Sequence, residues 1–284
     1  MQIITLLSDW NNEDYYLAAV KGKLASLCPD CKVVDISHKV SPFNIQEAAY
    51  ILRNAYPFFP PGTIHIVSVL SEETENATHH IVHAGGQYFI GADTGLFYMV
   101  FGEEMKVYEM DVPQDSFYHT FPALDRFVKV AVMLAQGKPV QEAGVETATV
   151  KKKLWLTPII NEDSVTAHVQ YIDSFENLIL NIDRNTFEQA RKGRKFTIHV
   201  RNQKIHQLST RYSSVPYGEL LALFNTFEYM EIAINQGNAS KLLGINIKDA
   251  IRIEFESEEK ERPGLNKTKK TSNFSAGGRT ESLF

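Results

Sequence analysis

The chain has 284 residues, of which 44% are hydrophobic and 22% charged, enough apolar material for a sizeable core in one large or two modest domains. A formal net charge of -5 opposes non-specific binding to nucleic acid or to an anionic membrane surface, because both select basic proteins. No run approaches the roughly 20 apolar residues of a membrane span. The opening Met-Gln-Ile-Ile-Thr-Leu-Leu-Ser-Asp9 lacks the features of a secretory signal, so a cytoplasmic protein is expected.

Ile3 to Ser8 is a short apolar run that predicts a first strand. In Tyr15–Leu27 the residues Leu17, Val20, Leu24 and Leu27 recur at helical spacing. Val33 to Ile36 predicts a second strand. Asn44-Ile-Gln-Glu47 has the form of a capping box and opens a helix with Ile45, Ala48, Ala49, Leu52 and Ala55 on one face, stopped by Pro57 and Pro60. Thr63 to Leu70 is apolar enough to be a strand buried on both faces. Ile81 to Ala84 and Tyr88 to Ile90 flank Gly85-Gly86 as a hairpin. A helix follows over Pro122 to Gln136, with proline near its start and Gly137 past its end. Such alternation predicts an α/β layered domain with a mostly parallel sheet over residues 1–150.

The composition changes near Gln141–Lys153. Short strands follow at Val165–Ile172, Leu178–Ile182, Phe196–Val200, Tyr229–Ile234 and Ile251–Phe255, broken by short helices at Asn185–Arg191 and Ala239–Leu243. This pattern predicts a small β-barrel or sandwich over residues 151–256. From Ser257 apolar periodicity vanishes, and residues 257–284 are expected to form a disordered tail.

Cys28 and Cys31 are the only cysteines, in Cys-Pro-Asp-Cys. The first closes a predicted helix and the second opens a strand, the reverse of a redox motif. No second pair completes a zinc site, so reduced thiols in a loop, and no metal, are expected. No glycine-rich phosphate loop is present.

Six segments resemble, in order, those of the S-adenosylmethionine hydroxide adenosyltransferases, the family related to fluorinase and chlorinase. They are Leu6-Leu-Ser-Asp9 through Gly22, Val34-Asp-Ile-Ser-His38 with Pro42 through Leu52, Phe58-Phe-Pro-Pro-Gly-Thr-Ile-His-Ile-Val67, Tyr88-Phe-Ile-Gly-Ala-Asp-Thr-Gly-Leu96, Ile172-Asp-Ser-Phe-Glu-Asn-Leu178, and Asn225-Thr-Phe-Glu-Tyr-Met-Glu-Ile-Ala-Ile-Asn235. The resemblance spans residues 1 to about 256. It implies a Rossmann-like N-terminal domain joined to a C-terminal β-barrel, and a homotrimer holding S-adenosylmethionine between neighbouring subunits. It also implies displacement at ribose C5′ with methionine leaving, where water gives adenosine and halide gives a halo-adenosine. S-adenosylmethionine is then substrate or ligand, and no separate cofactor is expected.

Carried over residue by residue, the resemblance places Asp9 on the ribose hydroxyls, where two carboxylate oxygens suit a vicinal diol; a helix N-cap is the plain alternative. It places Asp14 and Asp173 near the methionine ammonium and Asn177 on a polar edge of the base. Thr226 stands where serine is usual. Trp10 and Phe175 are candidates to pack on adenine, or plain core. For Asp173 and Asn177 the alternative is turn chemistry.

The segment that carries the reaction departs from the family. Hydroxide-using members follow the third strand with Asp-Pro-Gly-Val-Gly and then an arginine, whereas this chain reads Leu70-Ser-Glu-Glu73-Thr-Glu-Asn-Ala-Thr-His79-His80. Halide-using members carry tyrosine or a similar residue at the Leu70 position. The family histidine aligns with Pro122, three residues after His119. Three readings follow. A carboxylate such as Glu72 or Glu73 with His79, His80 or His119 rebuilds a water-activating pair, of which Glu73 and His119 are the candidates. Alternatively the protein binds S-adenosylmethionine or adenosine without turnover. Halide use ranks last, because Glu73 would repel an anion. A solvated loop is the plain reading of the Glu/His run.

Overall fold

The computed structural model describes residues 1–72, 74, 78–114 and 119–256. Glu73 and the expected C-terminal tail lie outside these described residues.

The first sheet comprises β1 (Ile3–Ser8), β2 (Lys32–Ser37), β3 (Ile64–Ser68), β4 (His79–Ala84), β5 (Gln87–Ala92), β6 (Lys106–Met110) and β7 (Gly144–Thr147). Its spatial order is β2-β1-β3-β5-β4-β6-β7. Pairings from β2 to β5 are parallel, and those from β5 through β4 and β6 to β7 are antiparallel. The sheet is therefore mixed, with a parallel core. Strands β1 and β3 are apolar on both sides because helices cover both faces. Helices α1 (Tyr15–Leu27) and α4 (Val128–Ala135) pack over Ile4, Leu6 and Ile66; α2 (Ile45–Ala55) and α3 (Leu96–Phe101) pack over Leu7, Val67 and Phe89.

The Asn44 half of the expected capping box is present, while the Asn44 amide itself donates to the Ser41 carbonyl. The Asn44 side chain accepts from the Glu47 amide at 3.2 Å and donates to Glu47 Oε2, which also accepts the Ser41 amide at 3.0 Å. The segment expected to be helical from Pro122 instead begins with a π-turn over Ala123–Phe127 before α4. Strands β6 and β7 and the short α3 were not expected from the sequence. Helix α3 starts only because Gly95 adopts φ 89°, a conformation that carries no steric cost without a Cβ.

The expectation of reduced thiols is corrected: Cys28 and Cys31 are joined as a disulfide. The turn after α1 doubles back, with the Cys31 amide donating to the Cys28 carbonyl at 3.0 Å. The Cα atoms thereby come to 5.4 Å, a separation that a disulfide spans.

The second sheet is antiparallel throughout: β8 (Ile159–Ile160), β9 (Ser164–Ile172), β10 (Leu178–Asp183), β11 (Phe196–Val200), β12 (Gln203–Ile205), β13 (Leu220–Phe224), β14 (Tyr229–Ile234) and β15 (Ala250–Phe255). The order is β12-β11-β15-β9-β10-β14-β13, with β8 on β9. A bridge between Leu208, just past β12, and Ala222 of β13 brings the two ends together, so the sheet is a nearly closed barrel. Val165, Ile182, Phe187, Ile198, Ile232 and Ile253 fill it. Helix α5 (Arg184–Arg191) supplies Phe187, and α6 (Ala239–Leu243) follows β14.

The two units meet along α2. Tyr50 stacks on Tyr171 of β9 at 4.4 Å. The Arg53 guanidinium lies 4.8 Å from the Trp155 ring and 5.2 Å from the Tyr229 ring, and donates to the Tyr229 hydroxyl at 2.7 Å. A cation between two aromatic faces is a favourable, desolvated contact.

One buried histidine sets a pH limit on the first unit. His65 on β3 stacks on Phe89 at 4.5 Å and contacts Thr5 Oγ1 and Gln87 Oε1, each at 2.6 Å. Because the Gln87 amide nitrogen donates to Tyr56 and Phe59 carbonyls, its oxygen faces the ring and Nε2 carries the proton. Burial lowers the imidazole from 6.5 to about 4, opposed by the Gln87 bond. Between those values the unfolded chain binds the extra proton. The stability from keeping His65 neutral is therefore complete above pH 6.5 and is lost as pH falls toward 4. Denaturant melts at pH 7 and pH 4.5 should differ more for the natural chain than for His65→Gln, by roughly 2–3 kcal/mol. Equal differences would remove His65 from that role.

Candidate functional site

The chain leaves β1 toward β2 on one side and later places β3 on the other. The carboxyl ends of β1 and β3 therefore flank a topological switch point, where open α/β sheets form a ligand crevice. Ser8 and Ser68 are register partners at that edge. Asp9 and Trp10 follow Ser8 directly, and Val69 and Leu70 follow Ser68.

Asp9 is half-buried, and its Oδ2 accepts the Phe43 amide at 2.9 Å. Its Oδ1 has no partner among the described residues. Asp9 therefore sits beyond a strand end with an acceptor oxygen to spare. Trp10 lies parallel to the His38 ring at 6.4 Å and meets Phe121 edge-on at 5.3 Å. Phe121 also packs on Tyr16 at 5.1 Å. The segment before the π-turn thus closes one side of the Asp9–Trp10 turn. Asp14 is exposed at the α1 N-cap and makes no side-chain cap bond.

Past β3, Leu70 is 44% exposed and takes φ 48°. An apolar side chain therefore occupies the strand-end position where the sequence comparison expected a carboxylate. Ser71 bonds Ser68, Oγ to Oγ, at 2.8 Å, and its carbonyl contacts His79 Nε2 at 2.9 Å. His79 Nδ1 in turn contacts Arg126 Nη1 at 3.1 Å. Arg126 is buried, with Nε and Nη2 donating to the Val112 and Met110 carbonyls at 3.0 and 3.1 Å. Since Arg126 can only donate, His79 accepts on Nδ1 and donates from Nε2 to Ser71. Arg126 reaches His79 from the π-turn, a segment distant in sequence from the β3–β4 connection. The signal was a charged Asp125-Arg126 pair set between Phe121 and Phe127 in a mostly apolar segment. His119 is exposed on the turn two residues before Phe121. Burial lowers the pKa of His80 on β4, against the raising influence of Asp93 and Glu109.

The barrel carries a second group. Asp173 Oδ1 accepts the Phe175 and Asn177 amides at 2.9 and 2.8 Å, and Oδ2 accepts the Asn177 side chain at 3.1 Å. This carboxylate is engaged in shaping its own turn, as the turn-chemistry alternative anticipated. The turn leaves Phe175 74% exposed. Phe175 and Asn177 line a cleft of about 550 Å³ with Tyr212, Asn235 and Asn238. Beneath it, buried Glu231 accepts the Tyr212 hydroxyl at 2.7 Å. Burial, reinforced by the Asp173 charge, raises the Glu231 carboxyl, while bonds from Tyr212 and Asn225 oppose that shift. Tyr212 and Glu231 were missed in the sequence, where each reads as ordinary strand or loop. Thr226 is exposed in the turn between β13 and β14 and is not among the cleft-lining residues.

The candidate residues thus form two clusters, Asp9–Trp10 on the sheet and Phe175–Asn177 on the barrel. Among the described residues no hydrogen bond or ring contact joins them within one chain. Such a build defines a two-domain protein whose sheet offers a switch-point carboxylate and whose barrel offers a cleft lined by an aromatic ring and amides.

The family is specific. Residues 4–144 match the SAM hydroxide adenosyltransferase N-terminal domain and residues 167–252 its C-terminal domain, and the chain belongs to that family. Similar proteins include the (R)-S-adenosyl-L-methionine hydrolase of Methanocaldococcus jannaschii, 29% identical, covering 89% of this chain and 96% of that one. The fluorinase of Nocardia brasiliensis is 24% identical over 89% of this chain and 96% of its own. Among solved structures, an uncharacterized conserved protein from Thermotoga maritima superposes with a TM-score of 0.80 at 26% identity, covering 88% of this chain and 99% of that one.

Proposed function

We propose that this protein is a divergent S-adenosylmethionine hydrolase, converting S-adenosylmethionine and water to adenosine and methionine. The observation that carries the reading is the Asp9 carboxylate at the switch point, with one oxygen held by Phe43 and the other unpartnered. That oxygen suits ribose hydroxyls, while Trp10 offers a ring face beside it. Water attacks C5′ and loses a proton; the C5′–S bond breaks and its electron pair returns to sulfur, releasing neutral methionine thioether. Glu73 and His119 are our candidates for taking the proton.

The ligand cavity is completed in a homotrimer, with the Asp9–Trp10 turn of one subunit facing the Phe175–Asn177 cleft of another. Exposed aromatics on both clusters, Phe43 at 69% and Phe175 at 74%, support an unfilled partner surface in the single chain. Asp14 and Asp173 would face the methionine ammonium, Asn177 the base, and Thr226 the adjoining rim.

A second reading, an adenosyl-ligand binder without turnover, is favoured by one observation: Leu70 occupies the strand-end position where hydroxide-using relatives carry a carboxylate. Incubation with S-adenosylmethionine, with and without chloride, followed by chromatography separates the two. Adenosine formation is expected for the hydrolase. A calorimetric binding signal without product identifies the binder, and a chlorinated nucleoside would identify halide use. Neither product nor binding would end both readings.

A further inference from the structure

His38 lies directly beneath the Asp9–Trp10 turn and is only 4% exposed. Its Nδ1 is 2.7 Å from Ser8 Oγ, and the same Oγ accepts the Trp10 amide at 3.5 Å. Its Nε2 faces Asp35 Oδ1 at 3.2 Å, an ion-pair distance without hydrogen-bond alignment. Asp35 is anchored in turn by Lys21 of α1 at 2.6 Å. Burial pushes the Asp35 carboxyl up, but Lys21 and His38 more than offset this and hold it below the usual range. The His38 carbonyl accepts the Asn11 amide at 2.8 Å, and its ring lies parallel to Trp10.

These contacts have one consistent direction. With Nε2–H toward the carboxylate, Nδ1 is left to accept the Ser8 hydroxyl proton, and Ser8 Oγ keeps a lone pair for the Trp10 amide. Ring, carbonyl and Nδ1 of a single residue therefore brace Ser8, Trp10 and Asn11, the residues on both sides of Asp9. A buried imidazole with this many directed contacts fixes its neighbours more tightly than apolar packing of the same size.

Resting on the assignment of Asp9 to the adenosyl ligand, we propose that His38 is a positioning residue for that site, setting the pose of Asp9 and Trp10 through Ser8. It touches no ligand and takes no part in proton transfer.

The test combines a ligand-free and a ligand-bound readout. Trp10 and Trp155 are the two tryptophans, so 5-fluorotryptophan labelling gives two fluorine signals, assigned with Trp155→Phe. His38→Gln loses the acceptor at the Nδ1 position, whereas His38→Asn places a carboxamide there. His38→Gln is expected to move the Trp10 signal, leave the Trp155 signal in place, and weaken adenosine binding about tenfold, the worth of roughly one hydrogen bond. His38→Asn should restore both toward the natural chain, a rescue that a merely space-filling role would not show. If His38→Gln moves neither signal nor affinity while Asp9→Ala abolishes binding, the site stands and His38 has no positioning role. If Asp9→Ala also binds normally, the site assignment fails and the inference falls with it. A shifted Trp10 signal with unchanged affinity overturns it as well.

Discussion

Asp9→Ala is expected to weaken adenosine binding by about 10- to 100-fold, the loss of one or two charge-assisted hydrogen bonds to the ribose. The substitution also removes the acceptor for the Phe43 amide, so a control is required. Asp9→Asn retains an oxygen for Phe43 and replaces the second acceptor with a donor. It should therefore keep the natural melting temperature yet bind almost as poorly as the alanine variant. Adenosine analogues lacking the ribose hydroxyls sharpen the measurement. The natural chain should discriminate strongly against 2′,3′-dideoxyadenosine, and Asp9→Ala should bind it about as well as adenosine. Calorimetry that shows undiminished discrimination in the alanine variant would take the ribose away from Asp9.

Arg126→Leu should destabilise the fold by about 3 kcal/mol, a large share of the stability of an ordinary domain. The guanidinium donates to the Val112 and Met110 carbonyls and to His79. Leucine fills part of the volume but leaves those buried acceptors without partners, which costs more than the bonds themselves contribute. Arg126→Lys keeps the charge, yet an ammonium cannot reproduce the planar fork, and an intermediate loss is expected. Thermal melting should place the three chains in the order natural, lysine, leucine. Because His79 also donates to the Ser71 carbonyl, the leucine variant should shift the His79 ring-nitrogen signals in NMR, reporting the loss of its Nδ1 partner. Arg126→Leu melting with the natural chain would contradict this account.

Periodicity made the layered half legible. The α1 pattern of Leu17, Val20, Leu24 and Leu27 and the Asn44 N-cap place their helices as found, since each rests on interactions within a few residues. The Cys-Pro-Asp-Cys pairing was misread because closure depends on how tightly the turn returns to β2, which composition does not encode. Strands β6 and β7 were missed because each is short and they pair with one another across more than thirty intervening residues; β8, β12 and β13 were missed because each is too short for its alternation to stand out. At the site, Asp9 and Trp10 were visible through their neighbours along the chain. Arg126 was not, because it reaches His79 from 47 residues away through a π-turn that offers no distinct periodic signature. Glu231 was hidden within an apolar strand, where its partner Tyr212 arrives from a loop.

Strands β1 and β3 define the crevice, yet the divergent stretch from Leu70 to Thr78 connects β3 to β4, which joins the sheet antiparallel to β5. In the proposed reading, the grip on a nucleoside and the choice of what attacks it are consequently carried by separate pieces of chain. On that reading the scaffold is a handle with an exchangeable blade, and the handle should keep its hold when the connecting stretch is replaced. Grafting the corresponding stretch of a hydrolysing relative between Ser68 and His79 is the natural route to a chain with reassigned chemistry and an inherited ligand.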